Sequence, residues 1–169
     1  LYGDLHSLSL GIKADGARFP HPLDKPLAWL RCFDVAQVNE DEMNQLGTEP
    51  LALAARALEG GVRAVVVTLG PRGAAYVASR TADLFGPSAS GGEVVRSALV
   101  AAEGGPLDGD PTGCGDVFGS TLVSGLLAGL GLEPALAEAN RMARRNVLHR
   151  GATGLQHFLR GGLAQARSA

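Results

Sequence analysis

Arg63 to Leu69, RAVVVTL, is a continuous β-branched run, the composition expected of a strand buried on both faces of a parallel sheet. Asp34 to Asn39, DVAQVN, predicts a second short buried strand that ends in Asn39 and runs into the acidic turn Glu40, Asp41, Glu42. Alternation over Leu1 to Leu10 predicts a strand whose C-terminal end carries Asp4 and His6. Gly11 to Pro26, with three prolines and scattered charge, reads as loop, and Leu27 to Cys32 as a short helix. Glu49 to Glu59 is helical, with Gly60 and Gly61 as its stop. Ala74 to Ala78 reads as a strand returning from the turn Gly70 to Gly73, and Val94 to Ala102 as a further strand. Thr81 to Gly109, with the Ser/Gly-rich piece Ser88 to Gly92, carries no assignable chemistry.

The later part of the chain is helical. Val117 to Leu132 carries no charge and is rich in Gly, Ser, Ala and Leu, which predicts a buried helix too short and Gly-rich to span a membrane. Glu133 and Pro134 start another helix that ends before Gly151. Its apolar positions Leu136, Ala139, Ala143 and Val147 follow helical spacing and leave Arg141, Arg144 and Arg145 on an outer, solvated face. Leu155 to Arg167 reads as a last helix with His157 exposed. Strands and helices alternate, so the expected class is α/β with a mostly parallel sheet.

Composition narrows the function. With 169 residues, 46% hydrophobic and 19% charged, the chain is expected to form one domain with its own core. A net charge of -2 without any polybasic tract argues against nucleic acid. Cys32 and Cys114 show no metal or redox spacing, and no targeting segment is evident, so a cytoplasmic protein with free thiols is expected. His6 and His149 read as structural, the first as a hydrogen-bonding residue and the second at a helix end. The first residue is Leu1 and the only methionines are Met43 and Met142, so further sequence upstream is expected.

The stretch with reactive character is Asp110 to Ser120, DPTGCGDVFGS. Small residues at a helix start let backbone N–H groups approach a ligand, and those donors with the helix dipole favour an anion such as a phosphate. Asp116 would sit beside that anion. A carboxylate is a poor phosphate ligand, but it can take a proton from a hydroxyl that attacks phosphorus. Other nucleotide or nucleophile motifs are absent: neither Lys follows a Gly as a P-loop requires, Gly113 to Gly119 misses the G-x-G-x-x-G spacing, and there is no G-x-S-x-G.

Asp110 to Phe118 resembles the C-terminal signature of the PfkB (ribokinase-like) family of sugar kinases, D-T-x-G-A-G-D, with Pro111 and Cys114 as departures. The resemblance implies Asp116 as catalytic base and the amides of Gly113, Cys114 and Gly115 as an anion hole. Asn39 and Glu42 match the family's N-x-x-E motif, which helps to organise Mg2+ and the nucleotide phosphates, often through water. Thr68, Gly70 and Gly73 match T-x-G-x-x-G, which with Arg72 between the glycines would line the ATP site. Asn140 falls where the family's helix approaches adenine. Asp110 and Thr112, together with the turn Gly151 to Gly154, would supply a monovalent-cation (K+) site.

The implied fold is a ribokinase-like three-layer α/β/α arrangement. Residues 1–169 would form the C-terminal nucleotide-binding and catalytic portion of the kinase domain, without the family's Gly-Gly signature and small β-sheet lid. The implied activity is ATP-dependent phosphorylation of a hydroxyl on a small-molecule sugar or related alcohol. Two alternatives stay open: a nucleoside or vitamin-precursor kinase, and a catalytically silent nucleotide-binding or interaction portion. No nucleic acid or membrane partner is expected. A truncated sheet would expose an apolar edge, so a homodimer is among the expected assemblies.

Overall fold

Two apolar runs that look alike in sequence, DVAQVN and RAVVVTL, lie side by side in the computed structural model, which describes residues 1–46, 49–79 and 95–149. In chain order the first elements are β1 (Tyr2–Asp4), β2 (Leu10–Ile12), β3 (Arg18–Pro20), α1 (Pro26–Leu30) and β4 (Val35–Asn39). Then come α2 (Glu40–Leu46), α3 (Pro50–Glu59), β5 (Ala64–Thr68), β6 (Ala74–Ser79), β7 (Val95–Val100), α4 (Cys114–Leu127) and α5 (Leu132–Val147). The described residues fall into two compact units, Leu1–Leu69 with Ala74–Leu99, and Gly70–Gly73 with the chain from Val100 onward.

The first unit is built on a five-stranded sheet in the order β1-β4-β5-β6-β7. β1 is parallel to β4, β4 is parallel to β5, and β6 returns antiparallel to β5. Burial explains the composition of the central strands: Val35, Ala36, Val38, Ala64, Val65 and Val66 are all buried. Of these, Ala36, Val38 and Val65 pack with Leu5, Leu30, Met43, Leu46, Ala54 and Ala57 from the surrounding turns and helices. At roughly 1.5–3 kcal/mol for each fully buried Val or Leu, this cluster is the main source of the unit's stability. Gln37 is the polar exception within β4, 2% exposed, and its amide is satisfied on both sides. Tyr2 donates its hydroxyl to Gln37 Oε1 at 2.8 Å, and Gln37 Nε2 donates to Asp4 Oδ2 at 2.9 Å, which ties β1 to β4.

Two expectations need correction here. The loop foreseen over Gly11 to Pro26 contains an antiparallel hairpin, with Leu10 opposite Pro20 and Ile12 opposite Arg18. Its turn is closed by Lys13 N–H to Ala17 O at 2.8 Å and by an Asp15 side-chain bond to Ala17 N–H at 2.9 Å. The strands are too short for alternation to register, and the Asp15–Gly16 pair was the signal that announced them. Likewise β1 stops at Asp4, and His6 opens a 3-10 turn (His6–Ser9) rather than ending the strand.

In the second unit α4 and α5 pack as a helical hairpin, with Phe118, Leu122 and Leu126 of α4 and Leu132, Leu136 and Ala139 of α5 buried. The absence of charge in α4 suggested burial all round, yet Ser120 and Ser124 are exposed and Leu127 is 72% exposed. An uncharged helix can present a Ser/Gly/Ala face to water, so lack of charge does not by itself imply full burial. On α5, Arg141 is exposed and pairs with Glu138, whose carboxylate holds the guanidinium even more firmly protonated than usual. Arg144 departs from the expected solvated face: it is half-buried and donates to Gly105 O at 3.3 Å. The expected helix Leu155 to Arg167 and the piece Ser88 to Gly92 lie outside the described residues. No helix among the described residues is long and apolar enough to cross a membrane.

Candidate functional site

The Gly-rich signature folds into a turn that feeds α4. Asp110 Oδ1 accepts the Thr112 N–H at 2.9 Å, a local turn in which the side chain replaces a backbone acceptor. The chain then enters Gly113 with φ 80° and ψ 0°, the left-handed region that glycine adopts without steric cost. Val117 N–H to Gly113 O, at 2.9 Å, is the first bond of the α4 ladder. The amides from Gly113 to Asp116 therefore precede the intrahelical pattern. Cys114 N–H is engaged by Pro111 O at 3.0 Å, whereas Gly113 N–H makes no hydrogen bond among the described residues. Asp116 stands in the first turn of α4, exposed, and its carboxylate has no hydrogen-bond or ion-pair partner among the described residues. An acid at the positive end of a helix, unengaged among the described residues and close in sequence to an amide without a hydrogen bond among them, is suited to accept a proton near a bound anion.

The loop is fixed from α5. Asp110 N–H donates to Val147 O at 3.0 Å, and Cys114 Sγ donates to Ala143 O at 3.4 Å. Asn146, fully buried, donates through Nδ2 to Thr112 O at 2.9 Å. Sequence reading passed over Asn146. Its signal was an amide side chain one position away from the apolar stripe of α5.

Gly70 and Gly73 flank a 3-10 turn (Gly70–Arg72), closed by Gly73 N–H to Gly70 O at 3.1 Å. A Cβ at Gly73 would lie 2.2 Å from Val100 O. That same carbonyl accepts Asn140 Nδ2 at 2.8 Å, so Gly73 and Asn140 are brought together around Val100. Asn140 is buried, and its amide is engaged by the backbone.

In the first unit Asn39 and Thr68 are register partners at the C-terminal ends of the parallel strands β4 and β5, the end where open α/β sheets bind ligands. Asn39 caps α2. Its Oδ1 accepts the Glu42 N–H at 2.8 Å, while Glu42 Oε2 accepts the Asn39 N–H at 2.8 Å, the reciprocal arrangement of a capping box. Asn39 Nδ2 also donates to Glu42 Oε1 at 2.7 Å, and His6 Nδ1 meets that same oxygen. The structural reading of His6 agrees with this contact, although its partner was not foreseen. Three donors on the buried Glu42 carboxylate occupy most of its acceptor sites, which favours contact with Mg2+ through water over direct ligation. No group of three His, Cys, Asp or Glu side chains among the described residues is arranged to hold a metal. For the K+ site, Thr112 O already accepts Asn146, and the turn Gly151 to Gly154 lies outside the described residues.

No curated protein matches the chain in a sequence search. Among solved structures, the ribokinase of Thermotoga maritima superposes with a TM-score of 0.60 at 22% identity, covering 79% of this chain and 44% of its own. An Escherichia coli protein assigned as a ribokinase II, in complex with ATP and Mg2+, gives 0.62 at 25% identity, with coverages of 80% and 42%. The Arabidopsis thaliana ribokinase complexed with ribose and ATP gives 0.60 at 23%, with 77% and 39%. The chain thus spans less than half of the length of each of these structures. The sheet, parallel from β1 through β4 to β5 with β6 antiparallel to β5, is that of a ribokinase-like fold. The profile of the pfkB family carbohydrate kinases matches residues 16–157, and the chain belongs to that family.

Proposed function

We propose that residues 1–169 form the nucleotide-binding and catalytic portion of a cytoplasmic, ATP-dependent phosphotransferase that acts on a hydroxyl of a sugar or sugar-like alcohol. The observation that carries this reading is the exposed Asp116 carboxylate, without a partner among the described residues, in the first turn of α4, three residues after left-handed Gly113. Asp116 takes the proton of the acceptor hydroxyl as its oxygen bonds to the γ-phosphorus. The bond from that phosphorus to the bridging oxygen breaks, and ADP leaves with the electron pair. Amides of the Gly113–Gly115 turn, Gly113 foremost, meet the charge that develops on the transferring group.

ATP as donor is supported by the ATP and Mg2+ bound to the E. coli structure. Magnesium would be held by the donor's phosphates and by waters, with Glu42 orienting a water rather than binding the ion, since its oxygens are engaged by Asn39 and His6. On the first unit Asn39 and Thr68 are proposed as nucleotide contacts; on the second, Gly70, Arg72 and Gly73 are proposed as nucleotide contacts, with Asn140 supporting their turn through Val100. A K+ requirement is no part of the proposal.

A second reading is motivated by chain coverage, since the chain spans 42% of the E. coli structure. It is a nucleotide-binding portion that transfers nothing on its own. Calorimetric titration of ATP with magnesium into the wild type and Asp116→Ala, followed by transfer assays on a panel of sugars, separates the two. Binding by both forms with transfer by the wild type alone supports the kinase. Binding without transfer in either form supports the silent portion, and absence of binding removes the nucleotide site altogether.

A further inference from the structure

We propose that Asn146 is a positioning residue for phosphoryl transfer: by holding the Thr112 carbonyl it turns the Gly113 N–H outward as an anion donor. The inference deepens the proposed function and rests on the reading of the Gly113 turn as the anion site. The contact is a bond of 2.9 Å from Asn146 Nδ2 to Thr112 O, made by a side chain that is fully buried. The Thr112–Gly113 peptide is planar and trans, so its C=O and N–H point in opposite directions. A carbonyl drawn down onto α5 therefore sends the Gly113 N–H away from α5, and no hydrogen bond among the described residues engages it.

Glycine makes such a lock necessary. At φ 80° Gly113 occupies a region that other residues disfavour, and it can equally adopt the alternative in which the preceding peptide is flipped. Nothing in glycine itself selects the outward amide. Asn146 selects it, because the flipped peptide would place an N–H against Nδ2 in place of an acceptor.

The rest of the Asn146 side chain argues against simple packing. Its Oδ1 is buried without a hydrogen-bond partner among the described residues, an arrangement that an apolar side chain of similar size would avoid. Nδ2 also lies 3.5 Å from Cys114 Sγ, so one amide group touches the loop on either side of Gly113. The neighbouring bonds from Asp110 N–H to Val147 O and from Cys114 Sγ to Ala143 O hold the ends of the loop but leave the Thr112–Gly113 peptide to Asn146.

The test uses the full chain and Asn146→Asp, which keeps the shape but sets an acceptor against the Thr112 carbonyl. The Gly113 amide is followed by NMR during titration with inorganic phosphate and with ATP. Transfer is measured in parallel. The wild-type amide should shift on titration and that of Asn146→Asp should not. Where transfer is measurable, kcat should fall about a hundredfold, the scale of losing one oxyanion donor, with the donor KM little changed. Asn146→Ser, which can reach Thr112 through a water, should recover part of both responses and carries the same test if the Asp variant does not fold. Equal responses in wild type and variants overturn the role of Asn146 while leaving the anion site standing. Silence of the Gly113 amide in the wild type overturns the anion site itself, and this inference with it.

Discussion

Asn39 and Glu42 are bonded to each other three times, through both backbone N–H groups and through the Asn39 amide. The N-x-x-E motif is therefore a helix cap before it is anything else. Removing the cap with Asn39→Ala should cost about 1 kcal/mol for the lost N-cap. It also takes one donor from a buried carboxylate, a further cost of about 1–3 kcal/mol. Asn39→Ser keeps the cap and loses only the second part. Urea denaturation with an unchanged slope checks both. A wild-type midpoint for Asn39→Ala, together with lost ATP affinity, would show that the pair serves the ligand and not the helix.

Asp116 is expected to behave in the opposite way. Its carboxylate is exposed and unpartnered among the described residues, so Asp116→Asn should leave stability within about 0.5 kcal/mol. Transfer should fall by about 10²–10⁴, the range for a positioned general base, while ATP still binds. Melting curves and calorimetry decide the matter together with the assay. A variant that transfers phosphate at the wild-type rate would remove Asp116 from the mechanism.

Gly73 has no room to change. Its φ is 103°, and a Cβ there would stand 2.2 Å from Val100 O and 2.6 Å from Ala102 N, both backbone atoms that cannot swing aside. Backbone strain alone costs of order 1–3 kcal/mol, and the clash adds to it, so Gly73→Ala should destabilise by more than about 2 kcal/mol. Chemical denaturation measures this. A variant as stable as the wild type would mean that Val100 to Ala102 does not lie against the turn.

How much of this was legible beforehand depends on how local the cause was. The strands Val35–Asn39 and Ala64–Thr68 follow from apolar runs that can be stable only when buried, and the stop of α3 follows from Gly60 and Gly61. The signature turn was readable because left-handed Gly113 and the Pro111 to Cys114 bond shape adjacent backbone. What escaped was set by distant partners. His6 and Glu42 are separated by 36 residues, and Asn146 and Thr112 by 34, and no spacing rule connects either pair. The one-sided burial of α4 escaped for a different reason, since Ser120 and Ser124 mark a solvent face without carrying charge.

Asn140 sits at the boundary between support and recognition, and its substitutions can separate the two. Its Nδ2 donates to Val100 O at 2.8 Å within a site where Asn140 is 7% exposed. Asn140→Leu keeps the volume but leaves that part-buried carbonyl with one donor fewer, a cost of about 1 kcal/mol. Asn140→Asp sets a carboxylate against the same carbonyl and should cost more. If Asn140 acts through Val100 alone, ATP affinity at a temperature well below the melting point should change by less than about threefold, since the turn at Gly73 keeps its own closure. Should Asn140→Leu bind ATP tenfold more weakly while losing little stability, the amide would be touching the nucleotide directly, and the supporting role through Val100 would be withdrawn.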